Sequence, residues 1–494
     1  MCTDTISTNG SYKSSSITLN NDDNHHGSIA SVRSHSPNSV RGGGNIHNNN
    51  KNTNHFRDSD VKTLNDMYCE PKDDQEIKEN GGIYPWLVVC GTFLVLIVGL
   101  GASSGWGKPC IMQNYFEQDE TLQGTSNLSL QLSFVGTIFN VFINLLGPLG
   151  QILLSLLQPR TVLFTSVTIC SIGLLLASFS KQVWQLYLTQ GVIYGIGSSI
   201  MFYIALTVVP LWFVKHRGMA LGIISSGISI GGLVMPQIME PLNTNLGAAW
   251  CYRIMSLVCF VVGIFSCMLF RNKAPIDSYQ DPEKKSSNKL IFKEMFDFSI
   301  VRNWRFLLWV FIDILLEGGY NVPYFFLPSY ATFLGLSTSQ GAIILSTSSG
   351  MNAFGRIVSG IIADYVGHVN IVIIYTIISG FSCLFLWVYA NTFETLMAFA
   401  IVFGFFGGTF ITLTPTITLL VTGQEKFESG ISVFLILTVV SFFGPNLASA
   451  IESNSPASKE YDSYKYFTGT CYIVSAVLLL FFKLSLNQKP LAKI

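Results

Sequence analysis

From residue 84 onward, apolar runs of about twenty residues recur along the chain, separated by short polar stretches. A helix rises ~1.5 Å per residue, so a run of that length crosses a hydrocarbon core of ~30 Å. The pattern predicts spans near 84–107, 130–156, 161–180, 185–213, 219–240, 250–270, 304–332, 341–363, 369–390, 394–421, 430–451 and 467–486. Residues 1–80 read differently. They are rich in Ser, Asn, Asp, Gly and His, and stretches such as 45–54 hold almost nothing to bury, so a disordered tail is expected. Serine phosphorylation of this tail and an inert tail are both open readings. A first apolar run so far from Met1 does not have the form of a cleavable signal peptide and is expected to stay as an anchor.

The only long polar stretch after the tail carries Lys273, Lys284, Lys285, Lys289 and Lys293, and it divides the spans six and six. The expected organisation is a tail at 1–80, a first six-helix bundle at 81–270, a central loop at 271–303, a second bundle at 304–486 and a C-terminus at 487–494. The fold class is thus an all-α membrane protein of twelve transmembrane helices in two six-helix bundles. Basic residues set the orientation. Lys215, Arg217, the central loop, Lys426, Lys483, Lys489 and Lys493 fall on one side if both termini are cytoplasmic, whereas Glu117, Asp119, Glu120, Glu394, Glu452, Glu460 and Asp462 fall on the other. In this topology Asn127-Leu128-Ser129 is an external glycosylation acceptor, and the similar triplet at Asn9 is internal and inert.

Composition narrows the function. With 49% hydrophobic and 12% charged residues, a mean hydropathy of +0.44 and a formal net charge of +0, the chain lacks both a soluble surface and the basic excess that nucleic acid requires. Ten cysteines are scattered singly, mostly inside apolar runs, and read as small buried hydrophobes. No nucleotide-binding loop, Ser/His/Asp cluster or metal-ligand spacing is present in the sequence. Neither catalysis nor a metal or other cofactor is therefore expected. The partners would be a small solute and the lipids.

Ionisable residues inside spans are costly and usually functional. Arg356 lies eight residues before Asp364, hence ~12 Å along the eighth helix, and keeps its charge at any ordinary pH. Asp313 and Glu317 stand one turn apart on the seventh helix, at a depth where either could meet Arg356. Lys108 closes the first span. One reading has Arg356 holding a substrate carboxylate while Glu317 or Asp313 gives and takes a proton. The other is a buried ion pair that only fixes the second bundle, with Lys108 as a headgroup anchor. Stretches interrupted by Gly or Pro often line substrate sites, which points to 101–107, to Gly318-Gly319-Tyr320-Asn321 and to 412–418 around Pro415, with Tyr203 and Tyr320 able to stack on a flat ligand.

Gly360, Asp364 and Gly367, in Gly360-Ile-Ile-Ala-Asp364-Tyr-Val-Gly367-His368, form a tight turn with a carboxylate able to cap a neighbouring helix end, or else an ordinary interfacial turn. The stretch resembles the gating signature of major facilitator transporters. Its counterpart in the first half, from Gly147 to Arg160, lacks the acidic residue. The segment from Trp212 through Arg217 to Gly222, together with Gly81-Gly82-Ile-Tyr84-Pro-Trp86, Asn321 to Ala331, Asn352-Ala-Phe-Gly355-Arg356 and Gly404-Phe-Phe-Gly407-Gly408, is similar to the monocarboxylate transporter family, particularly its fungal branch. That resemblance covers most of the chain after the tail. It implies alternating-access transport of a small organic anion, most simply a monocarboxylate, with a proton or by exchange. It associates the Arg356 and Lys108 positions with anion and proton handling; with Asn352, and with Tyr320 from the interrupted seventh-helix stretch, these make up the expected substrate-binding set. The family's animal members carry an aspartate where this chain has Asn352, so any proton would fall to the seventh-helix acids. A permease for another solute such as riboflavin and a non-transporting membrane sensor remain as alternatives. The family also suggests the plasma membrane, with the vacuole or another internal membrane as the alternative.

Overall fold

A computed structural model describes residues 83–101, 103, 116, 128–213, 216–270, 298–453 and 461–486, all within one compact unit. The expected tail, Lys108, Asn127, most of the central loop and residues 487–494 lie outside the described residues. Every regular element among them is helical. The spans are α1 (Ile83–Gly99), α2 (Leu128–Leu145, continuing as Gly147–Leu156), α3 (Pro159–Ala177), α4 (Val183–Thr207), α5 (Arg217–Leu246), α6 (Ala248–Leu269), α7 (Trp304–Phe333), α8 (Thr338–Val366), α9 (His368–Trp387), α10 (Phe393–Thr422), α11 (Phe427–Glu452) and α12 (Asp462–Leu486). Nine of these are long and apolar enough to cross a membrane unaided, and α2 makes a tenth when its bent halves are joined. The other two are α1, which is short, and α8, which carries so many Ser, Asn and Gly that it is the least lipid-like of the set.

Local chemistry explains where the helices start and stop. The side-chain oxygens of Asn303, Ser337 and Thr392 accept backbone N–H groups at the starts of α7, α8 and α10, filling positions that a helix N-terminus leaves open. Gly367 and Gly423 close α8 and α10 with φ of 106° and 76°, a region that side-chain-bearing residues rarely adopt. α2 bends by 44° just before Gly147-Pro148. The structure corrects two expected interruptions. Gly318 to Asn321 is continuous helix, and residues 409–422 run unbroken through Pro415, with the pinch in α10 displaced to Gly408. Helices packed around a buried proline can re-satisfy the carbonyl it frees, so the fold tolerates these residues without a break.

The buried apolar side chains form two clusters. One draws on residues 88–270, and the other on residues 300–486 with Tyr203 and Leu206 of α4 added, so each six-helix half has its own core. Between the halves the most extensive helix pair is α5 against α8. Within the second half, α8 and α10 meet so closely that a methyl group on Gly355 would overlap the Phe405 carbonyl, whereas one on Gly350 would make only an ordinary 3.8 Å contact with Leu233. Backbone approach of this kind is how helices associate where no hydrophobic force drives them together. We predict that Gly355→Ala lowers stability by roughly 1–3 kcal/mol, the usual cost of overpacking, and that Gly350→Ala is near neutral. Thermal unfolding of the two purified variants in detergent measures the difference.

Candidate functional site

The centre of the molecule is built where α5 of the first half crosses α8 and α10 of the second. Four small residues on α5 let the backbones meet. Gly218 and Gly222 face Gly360 and the Arg356 backbone, and one turn further Ser225 and Ser229 reach across. Ser225 Oγ lies 2.8 Å from Thr412 Oγ1 of α10. Ser229 Oγ donates to Asn352 Oδ1 at 2.7 Å, and Asn352 Nδ2 donates to the Gly404 carbonyl at 3.0 Å. Asn352 therefore ties α5, α8 and α10 together and is 1% exposed. It acts in this conformation as a saturated crosslink.

Arg356, one turn along α8, is 3% exposed and faces the same seam. Its Nη1 donates to the Ser225 carbonyl at 3.0 Å, and its buried Nε has no partner. The expectation that Asp313 or Glu317 meets this guanidinium is corrected by the structure. No ion pair joins Arg356 to either acid. Asp313, 3% exposed, takes a 3.5 Å contact from Thr414 Oγ1 of α10, and Glu317 Oε2 accepts from Ser441 Oγ of α11 at 2.9 Å. The two acids face α10 and α11 inside the second half, whereas Arg356 faces α5. The helical spacing put all three at suitable depths, but the side chains leave their helices in different directions.

Tyr320, one turn beyond Glu317, stands among aromatic rings. Its centroid lies 4.9 Å from Tyr324, 6.3 Å from Phe403 and 5.9 Å from Phe410, the last edge-on. Tyr203, the other expected stacking residue, packs instead into the second half, with its hydroxyl donating to the Glu428 carbonyl at 3.1 Å.

Gly360, Asp364 and Gly367 occupy one end of the bundle. Asp364 Oδ1 and Oδ2 accept the backbone N–H groups of Gly218 and Met219 at 2.8 and 2.9 Å, so the carboxylate caps the N-terminus of α5, and His368 Nε2 lies 3.6 Å from the same Oδ1. A methyl group on Gly360 would overlap the Gly218 carbonyl, and Gly367 makes the turn into α9. At the same end the first half makes a contact that the sequence reading missed. Gln151 of α2 accepts from Ser432 Oγ at 2.6 Å and donates to Ser429 Oγ at 3.3 Å, both on α11. It occupies the segment noted for its missing acid. A polar residue in an otherwise apolar turn next to a Gly-Pro bend was the available signal.

Two six-helix halves joined by hydrogen-bonded seams around a central buried cation define a membrane transporter. The sequence profile described as Major Facilitator Superfamily matches residues 90–445, and the chain belongs to that family. Among curated relatives, the MFS transporter asaE of Aspergillus flavus is 28% identical over 417 residues, covering 82% of this chain and 89% of its own. The agnestins efflux protein AgnL12 of Paecilomyces divaricatus is 26% identical, with 82% and 89% covered. Among solved structures, the human organic anion transporter MFSD10 superposes with a TM-score of 0.63 at 15% identity over 80% of this chain and 99% of its own, and FucP in its outward conformation with 0.59 at 14% over 81% and 99%. These likenesses establish the fold.

The two latches should respond differently to mutation. A hydrogen bond to a charged group is worth about 1.5–3 kcal/mol and one between neutral groups about 0.5–1.5 kcal/mol. Asp364→Ala is therefore expected to open this end of the bundle more than Gln151→Leu does, with their effects nearly additive because they lie on separate helix pairs. Pulsed electron paramagnetic resonance distances between labels on α5 and α8, and on α2 and α11, report the shift.

Proposed function

We propose that this major facilitator transporter moves a small organic anion, in the simplest case a monocarboxylate, by alternating access, with Arg356 as the anion's anchor. The observation that carries the reading is a permanently charged guanidinium, buried between the halves, that holds one backbone carbonyl and leaves its Nε unbonded. A carboxylate is the natural complement to such a fork, through charge-assisted and bidentate hydrogen bonds. An isolated buried cation is costly, and an anionic passenger would offset that cost at the position where the halves must part and rejoin. The absence of an ion pair with Asp313 or Glu317 favours binding over a purely structural bridge.

Glu317, and Asp313 beside it, are the proton-coupling groups in this scheme. They are hydrogen-bonded by hydroxyls of α10 and α11, and among the described residues no basic side chain pairs with them. Asn352 and Tyr320 line the route, and Lys108 completes the binding set from outside the described residues. Gly360, Asp364 and Gly367 form the cytoplasmic gate, which is closed in this conformation by Asp364 on α5 and by Gln151 on α11. The protein would sit in the plasma membrane with both termini in the cytoplasm. Outward transport is a second reading for the direction, favoured by relatives named as efflux proteins for agnestins and fujikurins.

Arg356→Leu should abolish transport of the anion into vesicles while surface expression stays intact. Unchanged transport by that variant would overturn the binding role. Glu317→Gln should keep exchange between labelled and unlabelled substrate but lose accumulation driven by a pH gradient, as measured in the same vesicles.

A further inference from the structure

The interior of the molecule is chemically one-sided. Among the described residues, Arg160, Arg217, Glu240 and Arg253 are the charged residues of α1 to α6, and all lie within the outer two turns of their helices. The interior turns of that half carry none. Asp313, Glu317 and Arg356 are all on the second half. A small recess between the halves is lined from the first half by Leu96, Phe202, Ile224, Ser225 and Ile228 and from the second by Ile411 and Thr412 of α10, and the carbonyl of Ser225 holds Arg356.

The polar groups of the second half are ordered along α8. Ser348, Asn352 and Arg356 are four residues apart and share one face, a stripe of ~12 Å in helix rise. Its far end is aromatic. Ser348 Oγ donates to Tyr324 Oη at 3.4 Å, Tyr324 packs at a tilt against Tyr320, and Tyr320 is flanked by Phe403 and Phe410. A narrow gap at this end, inside the second half and too tight for a water molecule in this conformation, is bordered by Tyr324, Ser348, Phe399 and Phe403.

We propose that the substrate is an amphipathic carboxylic acid with an aromatic body, its carboxylate on Arg356 and its ring among Tyr320, Tyr324, Phe403 and Phe410. This rests on the organic-anion reading above and narrows it. A two- or three-carbon acid would leave both the apolar first-half wall and the aromatic end of the stripe unfilled. A ring joined to its carboxylate reaches from the guanidinium toward the aromatic end and buries apolar surface on the way. Ring–ring contacts strengthen such binding beyond area burial. A wholly apolar ligand would leave the Arg356 Nε without a partner, and a neutral polar one would leave its charge unopposed.

The test is binding to the purified full-length protein in nanodiscs, which avoids passive leak of weak acids across vesicles. Acetate, lactate, benzoate, 1-naphthoate and the neutral analogue benzamide would be titrated by calorimetry. Affinity is expected to rise at least tenfold from lactate to 1-naphthoate, with benzamide not binding. In the Tyr320→Ala/Tyr324→Ala double variant, the ratio of naphthoate to lactate affinity should fall several-fold. Tyr320→Phe/Tyr324→Phe should restore it, which separates loss of the rings from loss of folding. Lactate binding as tight as naphthoate, with both lost in Arg356→Leu, would overturn the aromatic inference and leave the anion reading standing. Naphthoate bound equally by wild type and Arg356→Leu would overturn the anion reading itself. An unchanged naphthoate-to-lactate ratio in the Ala variant would overturn the assignment of the ring to these tyrosines.

Discussion

A guanidinium that cannot give up its proton is buried between the two halves, and much of the surrounding structure is arranged around that fact. Removing such a charge from water is expensive, and the low-dielectric interior magnifies each interaction that compensates for it. Here the compensation is a single carbonyl from the opposite half, Ser225 of α5, with the remaining donors available. Gly222 and Ser225 are small so that α5 can bring its backbone within reach. Asn352 is pinned between Ser229 and Gly404 one turn away, which fixes α8 against both neighbours and so fixes the root of the arginine. A passenger that takes hold of Arg356 competes with Ser225 and so acts on the contact that joins the halves.

The architecture was legible in the sequence because a membrane leaves few options. Runs of twenty apolar residues read as spans, and the twelve expected segments correspond to α1 through α12 within several residues. The burial of Arg356 and Asp313 was legible for the same reason. So was the packing role of Gly218, Gly222 and Gly360, since small residues at four-residue spacing on lipid-spanning helices announce close backbone contact.

Direction around a helix axis was not legible. Asp313 and Glu317 share a face, and rise per residue placed them at a depth compatible with Arg356, but the rotation of α7 about its axis is set by packing against α10, α11 and α12, to which a single sequence gives no access. Helix breaks failed for a related reason. Glycine and proline mark permission to deform, and the neighbours decide whether the permission is used: Pro415 stays helical while Gly408 does not. Gln151 escaped notice because the reading looked for a carboxylate. The structure places a neutral amide there, able both to donate and to accept, so it satisfies two serine hydroxyls at once.

The seam between α5 and α8 consists largely of bare backbone at the end that bears Asp364, glycine lying against glycine with no side chains meshed between them. Interfaces built from large interdigitating residues must change many rotamers before they part, and they rejoin only in one register. Two smooth helical faces held by a few polar bonds carry little such penalty: when those bonds, from Asp364 to the α5 backbone, from Ser229 to Asn352 and from Arg356 to Ser225, release, few side chains must change rotamer for the faces to part. Rapid and repeated parting with little wear on the packing is the natural behaviour of such a surface, and it suits a machine that must cycle many times for each one built.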